Sequence, residues 1–212
     1  MRSNSSIVGG SRTNQLNRIE ICGGIASGKT TLATVMERAG HHTIFENFKL
    51  NPFIEKFYSD SEFYSFETEI SFLLQHYSQI KTEARQTEGF FCDYSLLLDS
   101  SYAEVTLKPS HLKIFQDVYE TVVSEILSPN LIIHLRCRAE TQLYRIRQRN
   151  RSMESGITIQ YLDRLNRTLD STVRLEHPRD RILEIDSEKL DFAHDRATQN
   201  EIVKLIQDSF HT

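Results

Sequence analysis

Residues 23–32 read GGIASGKTTL, and this stretch decides the fold. It contains the pattern G-x-x-x-x-G-K-T, which is typical of a loop whose backbone N–H groups cradle phosphates. The strand-like run RIEIC precedes the loop, and the helical pattern TTLATVMERA follows it. A phosphate bound at such a loop also lies at the N-terminus of the next helix. The context therefore favours a nucleotide site over a chance glycine-rich turn.

The residue types in this loop indicate what each position does. Gly23 and Gly28 allow a tight turn and a close approach of the backbone to the phosphates. Lys29 brings a positive charge to the β- and γ-phosphates, and the hydroxyl of Thr30 is placed to bind Mg²⁺. The predicted nucleotide-binding residues of the loop are Gly23, Gly24, Ile25, Ala26, Ser27, Gly28, Lys29, Thr30 and Thr31.

Strand-like and helical patterns alternate along the rest of the chain. Apolar runs predict strands at 19–22, 90–93, 131–135 and 182–186, with a weaker one at 43–46. Helical spacing predicts helices at 29–39, 62–86, 110–127, 139–150, 157–175 and 197–210. This order predicts an α/β fold of three layers, in which helices cover both faces of a parallel sheet of about five strands. Ligands bind beyond the carboxyl ends of such strands, so the residues that follow each strand are the candidates for a site.

Composition limits the other possibilities. The chain has 212 residues, of which 39% are hydrophobic, and this predicts one globular domain at 18–212 after a disordered polar leader at 1–17. The net charge of -4 argues against a general nucleic-acid binder, and no apolar run approaches the roughly 18–20 residues that span a membrane. The three cysteines lie in or beside apolar runs without metal-like spacing, which favours reduced thiols and a cytoplasmic location.

Two carboxylates follow predicted strands. Asp93 ends the run FFCD, where an acid can reach the Mg²⁺ held by Thr30. It could also cap a helix that begins near Ser95, and the two roles are compatible. Glu46 follows TIF, where a carboxylate could take the proton from an attacking hydroxyl. On its own this is weak evidence, because most glutamates are solvated surface charges.

Six arginines crowd the segment between residues 136 and 151. Arg145 and Arg149 are one helical turn apart and share a face, whereas Arg147 falls on the opposite side. Guanidinium groups bind phosphates in a bidentate manner, so an arginine-rich lid that closes over the nucleotide is one interpretation. A solvated basic face balanced by Glu140 and Glu154 is the other.

These residues together resemble the deoxynucleoside kinase family, which shares its fold with the thymidylate kinases. The resemblance runs from about Arg18 to Asp186, and the blocks that carry it appear in family order. They are GGIASGKTTL, FEN with NPFIEKFY, FETEISFLLQHYSQI, CDYSLLLDSSYA, PNLIIHLRC and RIRQRNRSMESGITIQYLDRL. The phosphate loop alone is generic, whereas the segment from Arg145 to Leu162 is much more specific, since it resembles the family's lid and the helix after it.

The resemblance implies a role for each matching residue. Lys29 and Thr30 would serve the phosphates of ATP and Mg²⁺, and Glu46 would be the base that activates the sugar 5′-hydroxyl. Tyr58 and Glu154 match the pair that holds the 3′-hydroxyl. The remaining matches are Asp93 as the acid near magnesium, Asp99 as an acid of the base pocket, Arg145 against the adenine of ATP, and Arg149 and Arg151 as lid arginines on the phosphates.

The departures from the family pattern fall in the acceptor site. The family's Asp/Glu-Arg-Ser motif is Asp93-Tyr94-Ser95 here, so the arginine at the 5′ end is replaced by Tyr94. Glu69 stands where most members have a glutamine that pairs with the base, and His76 stands where they have an arginine. Seven residues are close to two helical turns, so both still point the same way. An ionised glutamate only accepts hydrogen bonds and would favour guanine, but Glu69 could instead pair with His76 or select a different substrate. Both residues could also be ordinary polar positions on a half-buried helix.

The leading hypothesis is therefore an ATP- and Mg²⁺-dependent kinase that phosphorylates the 5′-hydroxyl of a deoxynucleoside. Two rivals remain at this stage. One is a kinase for another small alcohol or a nucleoside monophosphate, and the other is a nucleotide-binding regulatory module without kinase activity. The resemblance also implies a homodimer formed by helices, for which 62–86 and 110–127 are the candidates.

Overall fold

The computed structural model describes residues 17–176 and 178–209. Its sheet has five strands: β1 (Asn17–Cys22), β2 (Thr43–Ile44), β3 (Gly89–Cys92), β4 (Leu131–Arg136) and β5 (Ile182–Asp186). They lie in the order β2-β3-β1-β4-β5, and every neighbouring pair is parallel. The predicted five-stranded parallel sheet is confirmed, although β2 ends before Glu46 and Asp93 follows β3 instead of ending it.

Eight α-helices connect and cover these strands in the described residues. They are α1 (Lys29–Arg38), α2 (Ile54–Ser59), α3 (Ser61–Glu83), α4 (Leu96–Thr106), α5 (Pro109–Ser124), α6 (Ala139–Arg149), α7 (Ile159–Glu176) and α8 (Arg196–Ser209). The predicted helices at 29–39, 62–86, 110–127, 139–150, 157–175 and 197–210 correspond to α1, α3, α5, α6, α7 and α8. No helix within the two described ranges is long and apolar enough to cross a membrane.

Successive residues of the central strands face opposite sides of the sheet, so helices pack on both faces and the fold has three layers. Ile133 and Leu135 of β4 pack in a cluster with residues of α1 and α8, such as Leu32 and Ile206. Ile132, which precedes Ile133, packs instead with residues of α4 and α7. Both faces of the strands are thus apolar, which explains why β4 reads as a nearly continuous hydrophobic run.

Helix α4 is the helix considered near Ser95, although helical spacing did not predict its extent, and it carries part of the site. Its first turn, Leu96–Leu98, is fully apolar and buried, so it lacks the one-sided spacing by which a surface helix is recognised. Its N-cap is Ser95, whose side chain accepts a hydrogen bond from the backbone N–H of Leu97 at 3.2 Å. The interpretation of Asp93 as the cap of this helix is therefore wrong.

A buried ion pair fixes the turn between β3 and α4. Arg18 and Glu20 lie two residues apart on one face of β1, and Arg18 Nε is 3.0 Å from Glu20 Oε1. Their side chains are only 4% and 2% exposed. Ser95 Oγ donates to Glu20 Oε2 at 2.8 Å, so the cap of α4 is attached to the central strand. Sequence reasoning missed this pair, although two charges at alternate positions of an apolar strand require partners.

The predicted leader at 1–17 falls outside the described residues except for Asn17, which pairs with Gly89 at the start of β1. Asn17 is therefore part of the first strand and not of the predicted leader. Phe210, the last residue of the helix predicted at 197–210, also lies outside the described residues.

Candidate active site

A cleft of about 1190 Å³ opens at the carboxyl ends of the strands. The phosphate loop, the segment after β2, and the turn between β3 and α4 line one end of it, with Lys29, Glu46 and Asp93. The other end is lined by aromatic side chains of α3, α4 and α7, including Phe72, Tyr102 and Tyr161. One cavity thus joins a charged end with an end that suits a flat apolar group.

The phosphate loop has a backbone shape that its small residues permit. Gly28 has φ 108° and Ala26 has φ 58°, both in the left-handed region. A Cβ added to Gly24 would lie 2.5 Å from Gln142 Nε2 and 2.6 Å from Asn166 Oδ1. These two side chains bond to each other and link α6 and α7 behind the loop. The loop is therefore held against the two helices that flank the arginine-rich segment.

The end of α1 next to the loop can receive an anion. The helix begins at Lys29, and its N-cap Gly28 offers no side-chain cap to the first backbone N–H groups. Unpaired N–H groups and the helix dipole favour negative charge at this position. Lys29 Nζ donates to the carbonyl oxygens of Gly23 at 2.9 Å and Gly24 at 3.2 Å. The loop's own backbone thus holds the ammonium group at the same end of the cleft.

Asp93 and Thr30 form the part of the site that suits a metal ion. Burial raises the pKa of Asp93 to about 7, and the nearby Lys29 and the hydrogen bond from Thr30 only partly oppose this effect. Asp93 Oδ1 is buried and has no hydrogen-bond partner among the described residues. The described residues contain no cluster of three or more His, Cys, Asp or Glu that could hold a metal. This sparse donor set fits Mg²⁺, which keeps several waters and relies on one or two side chains plus phosphate oxygens.

Glu46 lies between the two ends of the cleft. Its side chain is 34% exposed, and its Oε1 is 3.7 Å from Nε2 of His76. The charge of Glu46 also contributes to the raised pKa of Asp93, after the larger effect of burial. Glu46 is therefore a carboxylate with solvent access beside the predicted metal site, as a proton acceptor in this position requires.

The arginine-rich segment divides into two groups. Arg145 reaches the phosphate loop, where NH1 donates to the carbonyls of Ala26 at 3.2 Å and Ser27 at 3.3 Å. Arg149 makes a bidentate pair with Glu154 at 2.7 and 2.6 Å, and Arg151 lies 3.6 Å from the same carboxylate. These three arginines line the cleft.

The other arginines of the segment lie elsewhere. Arg136 pairs with Asp170 at 2.9 Å, and Arg138 pairs with Glu188 at 2.9 Å. Arg147 is exposed on the opposite side of α6. Arg136 and Arg138 thus pair with acids other than the expected Glu140 and Glu154, and Glu154 pairs instead with the lid arginines, which converge on the cleft.

Glu154 and Tyr58 lie together on the far side of the cleft. Glu154 is in the 3₁₀ turn Ser152–Gly156 and is 4% exposed. Burial raises the pKa of Tyr58 to about 12, and the carboxylate of Glu154 adds to this effect. Both residues line the cleft, so the pair that the resemblance assigns to a sugar hydroxyl is present at one place.

The substituted acceptor residues form a contiguous buried group. His76 Nδ1 is 2.8 Å from Asp99 Oδ2, and the His76 ring stacks on Tyr94 with centroids 4.0 Å apart. Burial lowers the pKa of His76, but Asp99 and Glu46 outweigh it and the net shift is upward. Glu69 is 4% exposed, and its Oε1 lies 3.1 Å from Thr106 Oγ1. Both Glu69 and His76 line the cleft, so the spacing places them in one cavity.

Sequence reasoning did not identify several residues of the cleft. Phe72, Tyr102 and Tyr161 were missed because aromatic residues on helices are most often simple core residues. Thr106, which contacts Glu69 without lining the cleft, was missed as well. Phe72 offered a signal, since it lies three residues after Glu69 and four before His76 and so shares their face of α3. Without the fold, this spacing does not distinguish a cleft residue from an ordinary core residue.

Three features of the cleft define the class of protein. A phosphate loop precedes α1, the carboxylates of Glu46 and Asp93 lie at the same end of the cleft, and three arginines converge on it. Together they are typical of a nucleotide-dependent phosphoryl transferase. A profile of the family described as "Deoxynucleoside kinase" matches residues 19–211. The chain therefore belongs to the deoxynucleoside kinase family, whose members are nucleotide-binding transferases. Its P-loop kinase fold is the one its sequence and structural relatives share.

Two kinds of relatives agree with this assignment. A deoxyguanosine kinase of Bacillus subtilis (strain 168) is 30% identical over 182 residues, which cover 82% of this chain and 88% of that protein. A deoxyadenosine/deoxycytidine kinase of the same organism is 31% identical over 157 residues, which cover 70% of this chain and 72% of that protein. The structure of a deoxyadenosine kinase from M. mycoides, with the products dCMP and a flexible dCDP bound, has a TM-score of 0.78 at 26% identity. The match covers 90% of this chain and 99% of that one.

Proposed function

We propose that this chain transfers the γ-phosphoryl group of ATP to the 5′-hydroxyl of a purine 2′-deoxynucleoside in a Mg²⁺-dependent reaction. The observation that carries the proposal is one cleft in which Glu46 lies between the phosphate loop and a half-buried aromatic end. The names of the relatives above all include a purine deoxynucleoside, which supports the choice of acceptor.

The phosphate end of the cleft binds and orients the donor. Backbone N–H groups of the loop and the ammonium of Lys29 hold the phosphates of ATP, and Arg145 lies against the nucleotide beside the loop. Thr30 and Asp93 would hold Mg²⁺, which neutralises charge on the β- and γ-phosphates when it is bound. Arg149 and Arg151 close over the transferring group, exclude water and stabilise its charge.

The other end of the cleft holds the acceptor. Tyr58 and Glu154 bind the 3′-hydroxyl, and the base lies among the aromatic side chains beside Glu69, His76, Tyr94 and Asp99. Glu46 then accepts the proton of the 5′-hydroxyl while the oxygen of that hydroxyl attacks the γ-phosphorus in line. Catalysis is mostly positioning and charge stabilisation, since a loose phosphoryl transition state needs little covalent help.

The test is a phosphorylation assay with MgATP and the four common deoxynucleosides, in which NMR identifies the phosphorylated hydroxyl. Glu46→Gln should lower kcat by about 10²–10⁴-fold, the usual contribution of a positioned base, with little change in KM. Glu55→Gln is the matched control, because Glu55 is an exposed glutamate of α2 outside the cleft. Equal activities of the two variants would remove Glu46 from the mechanism. Binding of MgATP without any turnover would favour a regulatory module, and turnover of another alcohol would favour a different acceptor.

Three further properties belong to this proposal. A homodimer would form through α3 and α5, which is supported by the exposed apolar side chains of Leu74, Ile114 and Val123 on these helices. Light scattering tests the oligomeric state directly.

We place the single domain at 18–212 in the cytoplasm, in keeping with the free thiols of its three cysteines. Removal of Mg²⁺ by a chelator should abolish turnover.

A further inference from the structure

The hydroxyl of Thr106 contacts two acceptors, although it has only one proton. Thr106 Oγ1 lies 2.8 Å from the carbonyl oxygen of Tyr102 and 3.1 Å from Oε1 of Glu69. A backbone carbonyl can only accept, so the shorter contact takes the proton of Thr106. The contact between Thr106 and Glu69 then needs a proton from Glu69. The hydrogen-bond pattern is therefore satisfied when Glu69 is a carboxylic acid.

The surroundings of Glu69 oppose its ionisation in the same way. No Lys, Arg or His among the described residues forms an ion pair with Glu69 at its position inside the cleft. The charge that acts on it is the like charge of Asp99, and burial is the larger effect. Together they raise the pKa of Glu69 to about 8, against the lowering effect of the hydrogen bond with Thr106.

Titratable or charged groups on α3, α4 and α7 lie near Glu69 without neutralising it, and among the described residues none on α2 or α5, which also pack on α3, shifts its pKa. These groups are His76 on α3 itself, Asp99 and Tyr102 on α4, and Tyr161 and Arg164 on α7. His76 is bound to Asp99 at 2.8 Å. Arg164 is exposed and donates to the carbonyl of Val105 at 2.9 Å. A buried carboxylate with no cationic partner is costly, and such a group commonly becomes neutral instead.

We propose that Glu69 is held as a neutral carboxylic acid and that this uncharged group binds the hydrogen-bonding edge of the purine. The inference rests on the proposed function. With its proton directed to Thr106, the acid leaves Oε2 as an uncharged acceptor for an amino group in the cleft. A neutral acceptor suits both adenine and guanine, because the lone pair of adenine N1 is not repelled. An ionised Glu69 would instead favour the two donors of guanine, N1–H and the 2-amino group.

The proposal predicts that base preference depends on pH. For the wild type, the ratio of kcat/KM for deoxyadenosine to that for deoxyguanosine should fall above pH about 8, the pKa of Glu69. Only the neutral fraction would accept adenine, so the fall should approach roughly tenfold per pH unit. Glu69→Gln is the matched variant, because its amide donates to Thr106 and keeps a carbonyl oxygen at every pH. Its ratio should stay flat and near the neutral-pH ratio of the wild type.

Infrared difference spectroscopy tests the protonation state without any turnover. The spectrum of the wild type minus that of Glu69→Gln should contain the C=O band of a protonated carboxyl group at pH 7, and this band should disappear as the pH rises through about 8. Thr106→Val is a second variant that should shift the band but retain it, because it removes only the hydrogen-bond partner of the acid.

The outcomes separate this proposal from the proposed function. Absence of the band at pH 7, or a Glu69→Gln variant that loses deoxyguanosine activity more than a hundredfold, would overturn it. If the infrared band is present but the ratio of the two kcat/KM values does not change with pH, the role of Glu69 in base binding would be overturned. If the wild type phosphorylates neither purine deoxynucleoside, the proposed function fails, while the infrared result still decides the state of Glu69.

Discussion

Replacement of Arg18 by methionine should destabilise the protein strongly, although Arg18 lies outside the cleft. Methionine keeps an apolar stem of similar length but leaves the 2% exposed carboxylate of Glu20 with only the hydroxyl of Ser95. Removal of one partner from a buried ion pair costs about 3–5 kcal/mol. At about 2–4 °C per kcal/mol for a domain of this size, Tm should fall by about 6–20 °C.

The double variant Arg18→Met/Glu20→Leu separates the loss of the pair from the loss of packing. Because it leaves no unpaired charge, it should be more stable than Arg18→Met alone. Urea unfolding followed by circular dichroism gives the free energies of unfolding, with the exposed Arg38→Met on α1 as the control, which should change by no more than about 0.5 kcal/mol. A loss below about 1 kcal/mol for Arg18→Met, or a double variant that is less stable than it, would refute the assignment of a buried charge pair.

Two further predictions concern the cleft. Tyr58→Phe removes a hydroxyl from the side of Glu154 and should raise KM for the deoxynucleoside up to about tenfold, with a smaller effect on kcat, in steady-state kinetics. An effect on kcat alone would contradict a role in binding. Gly28→Ala and Gly40→Ala both place a side chain at positive φ, at 108° and 93°, and should each cost about 1–2 kcal/mol. Only Gly28→Ala should also weaken ATP binding in calorimetry, because Gly28 belongs to the phosphate loop and its new Cβ would lie 3.1 Å from the ring of Phe192. At Gly40 nothing lies within 4 Å of an added Cβ. Equal ATP affinities in the two variants would show that the loop tolerates the change.

The sheet and six of the helices could be predicted because their signals are local. Strands such as β4 are continuous apolar runs between turn residues, and helices such as α7 are apolar on one face only. The extent of helix α4 could not be predicted from spacing, since the helix is buried on several sides and its apolar first turn resembles a strand. Helix α2, Ile54–Ser59, is too short to show a period.

The candidate site was predictable where a residue type has few other uses. The phosphate loop and Asp93 follow from spacing and strand order, because parallel strands bring their carboxyl ends to one edge. The contacts that determine protonation could not be predicted. The pairing of His76 with Asp99, and that of Glu69 with Thr106, join residues more than twenty positions apart. Sequence spacing within one helix carries no information about such partners.

Glu154 belongs to both halves of the proposed reaction. It lies in a turn of five residues next to Arg151, forms a bidentate pair with Arg149, and faces Tyr58. An acceptor hydroxyl that hydrogen-bonds to Glu154 would therefore also change the pairing of Glu154 with Arg149 and Arg151, which the proposal assigns to ATP. Thermodynamic linkage makes such a coupling reciprocal: the factor by which the deoxynucleoside changes the affinity for ATP must equal the factor by which ATP changes the affinity for the deoxynucleoside. Under the proposed function, one carboxylate therefore couples the affinities of this protein for its two substrates.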